Sequence, residues 1–188
     1  MTLAVNEWTH VAAGVDGTNE KHFINGAFAE QDGCAGSLRI NNDDFKIGAR
    51  GGDGGHGSQF RGSVDEAMLF GAMLSDNDVQ TVYDATFAEP SPPMSDVISG
   101  GLPSSLVGYW PLDGDATDLS ENSLEATVTN GEWVASPYGL AFHVHGEDGI
   151  RVVDDGSSPL DVDNVLMVAW LRPSVRDVPA DRGIIMNK

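Results

Sequence analysis

Two adjacent carboxylates, Asp65 and Glu66, lie inside the apolar segment FRGSVDEAMLF of residues 60–70. Burying the charge of Asp65 without a partner would be costly, because a low-dielectric interior cannot replace its hydration. Arg61 precedes Asp65 by four residues, which places it more than about 12 Å away along an extended strand. A bound cation is therefore the simplest partner for Asp65, and the chemistry that this pair predicts is metal binding.

Two other places could contact a ligand. Trp133 follows the turn signal Asn130-Gly131, where its ring could either stack on a sugar or pack at a sheet edge. Asp53 and His56 lie in the glycine-rich segment GGDGGHG of residues 51–57. A strand rather than a helix follows this segment, so it is not a phosphate-binding loop of the dinucleotide type. It is either a flexible connection or a loop at the edge of a ligand site.

Histidine and cysteine chemistry has weaker support in the sequence. His143 and His145 share one face of a predicted strand, a spacing that could bind a transition metal. No cysteine or third histidine lies nearby to complete a zinc set, so we interpret them as a solvent-facing pair. Cys34 is the only cysteine, which permits no internal disulfide and indicates an idle or buried thiol.

The overall charge restricts the class of partner. A formal net charge of −19 argues against binding to nucleic acid or to anionic membranes, both of which would be repelled. The acidity fits divalent-cation binding, a salty habitat or a well-solvated surface. The sequence contains no apolar run of about 18 residues, so no membrane insertion is expected. No signal-peptide pattern opens the chain, as would also be true of a module cut from a longer extracellular protein.

The acidic pair must be positioned by the strand that contains it. Apolar residues of one parity predict this strand: Phe60, Val64, Met68 and Phe70. Glu66 interrupts the alternation, so either both faces of the strand are covered or a bulge shifts the register near Asp65. A short helix follows, with Ser75 as N-cap, Asp78 at the third helical position, and Leu74 and Val79 as a hydrophobic staple.

Two further segments define the organisation of the chain. Residues 89–105 are rich in Pro, Ser and Gly, which predicts a linker. Residues 165–173 form a nearly continuous apolar run, as expected of a strand that is buried on both faces.

The motifs around these elements resemble those of laminin-G-like, concanavalin A-like jelly-roll domains. Residues 60–83 resemble the closing strand and helix of that family. Residues 6–12, 23–26 and 45–48 resemble the strands that precede this closing strand in the family. Residues 106–114 resemble the family's opening strand, and residues 118–122 resemble its Asp-x-Ser-x-Asn loop. Residues 140–152 resemble its third segment, and residues 165–173 resemble its central tryptophan strand.

The resemblance implies an all-β, two-sheet antiparallel jelly-roll sandwich with one short helix. Residues 1–88 correspond to the C-terminal half of such a domain and residues 106–188 to the N-terminal half, so the halves occur in permuted order. The chain is either a window across two tandem domains or a single domain in which the halves pair. We expect the second arrangement, because neither half alone can bury both inner sheet faces.

The resemblance also implies a structural calcium ion that joins the opening loop to the closing strand. Its ligands would be Asp65, Asp113 and the backbone carbonyl of Gly146. Asp118 and Asn122 could add to a site on the same rim. The alternative is that Asp113 and Asp118 only form side-chain-to-backbone turns.

We therefore expect a calcium-stabilised carbohydrate-binding or adhesion module of a larger extracellular or cell-surface protein, without catalytic activity. Its partner would be a glycan or an extracellular protein, bound near Asp53, His56 and Trp133, and open sheet edges could also associate with another chain. A structural spacer without its own ligand is the alternative. A glycoside hydrolase is a remote one: Glu30-Gln31-Asp32 begins like a laminarinase-type carboxylate strand, but Ala35 replaces the third carboxylate.

Overall fold

The computed structural model describes residues 3–34, 43–48, 60–88, 104–145, 149–156, 158–174 and 186–187. Within them the fold is mostly β-strand, with a single short helix. The elements in chain order are β1 (Thr9–Val15), β2 (Asn19–Ile24), β3 (Ala27–Gly33), β4 (Phe45–Ile47), β5 (Arg61–Phe70), α1 (Asp76–Ala88), β6 (Leu106–Trp110), β7 (Ala126–Thr129), β8 (Glu132–Ser136), β9 (Gly139–His145), β10 (Gly149–Val152), β11 (Val165–Pro173) and β12 (Met186–Asn187). No helix in this described part is long and apolar enough to cross a membrane.

The strands form two antiparallel sheets, as expected of a jelly-roll sandwich. The larger sheet has the order β3-β2-β1-β11-β5-β9-β8, with β6 also paired to β5. The smaller sheet has the order β12-β4-β10-β7. Apolar side chains from both sheets form the core between them, including Phe45, Ile47, Trp110, Phe142 and Ile150.

Helix α1 covers the opposite face of the larger sheet. Val79 and Val82 of the helix pack with Phe23, Met68 and Leu166 of the sheet in a second buried cluster. This second layer explains why β11 is apolar on both faces, and it confirms the prediction that residues 165–173 form a strand buried on both faces. The strand has one face in each cluster.

The start of α1 is capped as the sequence predicts. The Asp78 N–H donates to Ser75 Oγ at 3.2 Å, and the Ser75 N–H donates back to the Asp78 carboxylate at 3.3 Å. Leu74 and Val79 are both buried in the cluster beneath the helix. This reciprocal cap satisfies backbone donors that the first helical turn leaves free.

Both alternatives that the sequence left open for β5 occur together. The strand is covered on both faces, since Ala67 and Leu69 belong to one core cluster and Met68 to the other. The pairing of β5 with β11 also shifts register, so that Met68 faces Val168 but Asp65 faces Trp170. The shift is the bulge expected near Asp65.

The two predicted halves contact each other extensively. Strand β11 lies between β1 and β5, and β6 pairs with β5 so that Ala67 faces Trp110. The expected contact between residues 60–70 and residues 106–112 is therefore present. The permuted order relative to other domains stays a prediction, as do the domain boundaries.

Cutting the chain at an engineered protease site between Met94 and Ser95 should leave the two pieces associated, because β11 is inserted between β1 and β5. We expect them to co-elute in size-exclusion chromatography and to separate only in denaturant. Ala169→Asp, which places a charge in buried β11, should separate the pieces, whereas Leu119→Asp at a half-exposed position should not. Separation of the unaltered pieces in native buffer would contradict this association.

Candidate functional site

The acidic pair lies where β5 changes its neighbour. Residues 61–64 pair with β9, whereas residues 67–70 pair with β6, and the pair sits between these two ladders. Asp65 and Glu66 are each 1 % exposed, although both carry carboxyl groups. Their position therefore follows from a bulge at the centre of the larger sheet.

Glu66 adopts a backbone conformation that is unusual for its residue type. Its φ is 50°, in the left-handed region that non-glycine residues rarely occupy. Its side chain accepts a hydrogen bond from the hydroxyl of Tyr109, which is itself fully buried. Burial and the Glu66 carboxylate both raise the pKa of the Tyr109 hydroxyl, so Tyr109 remains a donor.

Asp65 has two hydrogen-bond donors but no cation among the described residues. The Ser136 hydroxyl donates to Asp65 Oδ2 at 2.6 Å, and the Glu66 N–H donates to Oδ1 at 3.0 Å. The pKa of Asp65 is raised to about 8, mainly by burial; the charges of Glu66 and Asp113 also raise it, while the two hydrogen bonds lower it. Without a cation, the site therefore favours the protonated carboxyl near neutral pH.

Aromatic rings surround the acidic pair on the face that carries α1. The ring of Tyr138 lies 4.7 Å from that of Trp170, the residue that faces Asp65 across the strands. Burial raises the pKa of Tyr138 to about 12, with smaller contributions from Tyr83, Asp65 and Glu66. His10 contacts the edge of Trp170, and burial lowers its pKa to about 3, so it is neutral. Neutral His10 therefore provides no positive charge near the acidic pair.

The structure brings two of the three predicted calcium ligands near each other. Asp113 is close enough to raise the pKa of Asp65, and its Oδ1 accepts the N–H of Leu140 at 2.8 Å. It also abuts Gly139, where any side chain would overlap its carboxylate. Gly146 lies outside the described residues. Within those residues, no group of three or more His, Cys, Asp or Glu side chains is arranged to hold a metal ion.

Asp118 organises the loop after β6. Its carboxylate accepts the N–H groups of Tyr109, Ser120 and Leu124 and the hydroxyl of Ser120, at 2.7–2.9 Å. Asn122 donates to the carbonyl of Val107 at 2.8 Å. Four donors use the oxygens of Asp118, so it forms the side-chain-to-backbone turn that was the alternative to metal binding.

Trp133 lines a cleft of about 580 Å³. The cleft is bounded by the loop after β6, the segment leading into β7, and the start of β8; its other lining residues are Gly114, Asp115, Ala116, Thr117, Asp118, Ser123, Leu124, Glu125, Ala126 and Val128. Asp53 and His56, the other predicted ligand contacts, lie outside the described residues. Of the three predicted ligand contacts, Trp133 thus lines a cavity large enough for a small ligand.

The histidine pair and the carboxylates of β3 lie apart from this cleft. His145 is 55 % exposed at its side chain and bonds Glu132 at 2.8 Å, and the ring of His143 bonds the Ser63 hydroxyl at 2.9 Å. Strand β3, with Glu30 and Asp32, is exposed along its whole length at the edge of the sheet. Neither set forms an enclosed site.

Sequence reasoning missed the partners of the acidic pair. Ser136 donates to Asp65 from 71 positions away in sequence, and Tyr109 donates to Glu66 from 43 positions away. Neither donor stands in a motif that indicates this role. The break in alternation at Glu66 was the available signal, and it located the bulge but not the residues that surround it.

The buried Asp65 predicts an unusual pH dependence in the presence of a chelator. Its folded-state pKa of about 8 exceeds its ordinary value of 3.8, so the folded protein binds a proton that the unfolded chain releases. The free energy of unfolding should therefore fall between about pH 5 and 8, by up to about 1.4 kcal/mol per pH unit. Urea unfolding of wild type, Asp65→Asn and the exposed control Asp32→Asn tests this; an equal slope in all three would contradict it.

Comparison with known proteins agrees with this fold. Residues 1–80 match the family model described as the concanavalin A-like lectin/glucanases superfamily, Laminin_G_3. The match covers β1 to β5 and the start of α1, including the acidic pair. No curated protein and no solved structure is significantly similar to the chain. Together with the two antiparallel sheets, the match over residues 1–80 supports a laminin-G-like, concanavalin A-like domain.

Proposed function

We propose that the chain is a calcium-stabilised, non-catalytic carbohydrate-binding or adhesion module of a larger extracellular protein. The family match supports a carbohydrate-binding or adhesion-type role at a coarse level. The observation that carries the binding role is the cleft beside Trp133, which combines an aromatic ring with hydroxyl and carboxylate groups. Sugars are bound by such combinations, because their C–H faces pack on rings while their hydroxyls need acceptors and donors.

Buried Asp65 and its neighbour Asp113 support calcium as the stabilising ion. Asp65 and Asp113 come from segments far apart in sequence, and their like charges need a cation if both are ionised. Each Asp65 oxygen accepts one hydrogen bond, which leaves lone pairs for a metal. Calcium takes such carboxylate and carbonyl oxygens, and the Gly146 carbonyl is the third proposed ligand.

The placement of Glu30 and Asp32 favours binding over catalysis. Glycoside hydrolysis needs two carboxyl groups on either side of the scissile bond. Here Glu30 bonds His22 at 3.2 Å on an exposed edge strand, and neither Glu30 nor Asp32 lines the cleft beside Trp133. The superfamily description includes glucanases, so hydrolysis of a chromogenic glycoside is the direct test of this part of the proposal.

The extracellular setting and the partner remain parts of the same proposal. A glycan or an extracellular protein is the proposed partner, and the edge strands β3 and β8 of the larger sheet offer backbone groups for a second chain. A glycan array probed with and without calcium separates this role from that of a spacer. Binding to no glycan under either condition would favour the spacer.

Calcium should raise the melting temperature if Asp65 and Asp113 bind it. At a free concentration about a hundredfold above the dissociation constant, the gain is roughly 2.7 kcal/mol. For a chain of this size that corresponds to about 5–10 °C. Melting curves in EDTA and in millimolar calcium measure the shift for wild type, Asp65→Asn, Asp113→Asn and the exposed control Asp32→Asn.

The two site variants should lose the response to calcium, while the control should keep it. Equal melting temperatures of wild type in EDTA and calcium would remove the ion from the proposal. A full response in Asp65→Asn would move the ion to another site.

A further inference from the structure

We propose that the cleft beside Trp133 binds uncharged glycan chains and discriminates against sulfated or uronic-acid-containing ones. This inference rests on the proposed carbohydrate-binding function and assigns it a site and a ligand class. It follows from three features of the cleft: a fixed aromatic ring, a rigid wall and the sign of the charges that line it.

The ring of Trp133 is held in place by the ring of Phe142. Trp133 and Phe142 face each other across β8 and β9, and their rings lie 5.1 Å apart at 57°. The turn before β8 is equally constrained, since Asn130 and Gly131 have φ values of 50° and 69°. A side chain at Gly131 would overlap the Phe142 ring. A ligand that stacks on Trp133 therefore loses little free energy in ordering the ring.

The facing wall of the cleft is rigid for a different reason. Asp118 accepts three hydrogen bonds from Ser120 and Leu124 of its own loop and one from Tyr109 of β6, and these tie the loop to the strand. Thr117 is fixed further by its N–H, which donates to Asp115 Oδ1 at 2.8 Å. The wall thus presents its groups in one arrangement before a ligand arrives.

The polar groups of the cleft suit hydroxyls and repel anions. Thr117 and Ser123 offer hydroxyls, while Asp115 and Glu125 offer exposed carboxylates that accept hydrogen bonds from sugar hydroxyls. No lysine, arginine or histidine is among the described lining residues. The whole chain carries a formal charge of −19, which adds a long-range repulsion for sulfates and uronates.

The apolar part of the lining favours a glycan over a cationic peptide. Leu124 and Val128 line the same cleft as Trp133 and provide surface for the C–H faces of sugar rings. A lysine-rich peptide could pair with Asp115 and Glu125, but its charged side chains offer no flat C–H face to pack on this apolar surface. The cleft volume of about 580 Å³ also falls within the range of small-ligand sites, about 300–1,000 Å³.

The test is titration calorimetry in 0.15 M NaCl with defined probes. Neutral hexasaccharides of glucose, mannose and galactose are compared with a heparin hexasaccharide, an oligogalacturonate and a lysine-rich peptide. We expect at least one neutral probe to bind and the two anionic probes to bind at least tenfold more weakly. Trp133→Ala should weaken the neutral probe about 5- to 100-fold, as loss of a stacking surface does. The exposed aromatic control Phe28→Ala should leave its affinity unchanged.

A second variant tests the charge argument without touching the ring. Asp115→Asn combined with Glu125→Gln keeps the shape of the cleft and removes two charges, so binding of oligogalacturonate should improve relative to the neutral probe. Circular dichroism establishes that each variant is folded. Binding of an anionic probe by wild type within tenfold of the best neutral probe, or unchanged binding by folded Trp133→Ala, would overturn the inference while the proposed function stands.

Two further outcomes have different meanings. Binding of the peptide alone, lost in Trp133→Ala, would assign the cleft to a protein partner and overturn the inference. Absence of binding to any glycan, in calorimetry and on the array, would overturn the proposed carbohydrate-binding function and this inference together.

Discussion

Burial of two adjacent carboxyl groups at the centre of the larger sheet is the constraint on which the rest of the structure depends. Strand β5 pairs with β11 on one side, and on the other it passes from β9 to β6 at the point where Asp65 and Glu66 lie. A regular ladder cannot contain this change of neighbour, so the strand bulges and Glu66 takes a positive φ. The bulge costs local free energy, and it is retained because the surrounding strands determine it.

The side-chain donors to these carboxyls come from the second half of the chain. Tyr109 and Ser136 donate to Glu66 and Asp65, and Asp113 supplies the neighbouring charge. Residues 60–88 could not satisfy the pair alone, because the hydroxyl donors Tyr109 and Ser136 would be absent. Polar satisfaction and hydrophobic burial therefore both favour the arrangement in which β11 inserts between β1 and β5.

We propose that the cleft and the acidic pair serve two different tasks in two parts of the fold. The pair is buried, and Trp170, which faces Asp65, contacts Tyr138; we propose that an ion bound here would stabilise the sandwich. The cleft opens beside β7 and β8, where the two sheets are joined by a tight turn at residues 130–131. Phe142 links the two regions, since it packs behind Trp133 and belongs to the core between the sheets. Stabilisation of the core thus also fixes the ring that would contact a ligand.

The sequence by itself determined the elements whose information is local. The cap formed by Ser75 and Asp78, the apolar run of β11 and the interruption at Glu66 each depend on residues within a few positions. Such patterns follow from backbone geometry, so they can be read without knowing what packs against them. The tertiary structure decided the partners of Asp65, the hydrogen bond between Tyr109 and Glu66, and the cleft beside Trp133. These join residues 43 to 71 positions apart or arise where several segments meet, and no local pattern encodes which distant strand will lie beside another.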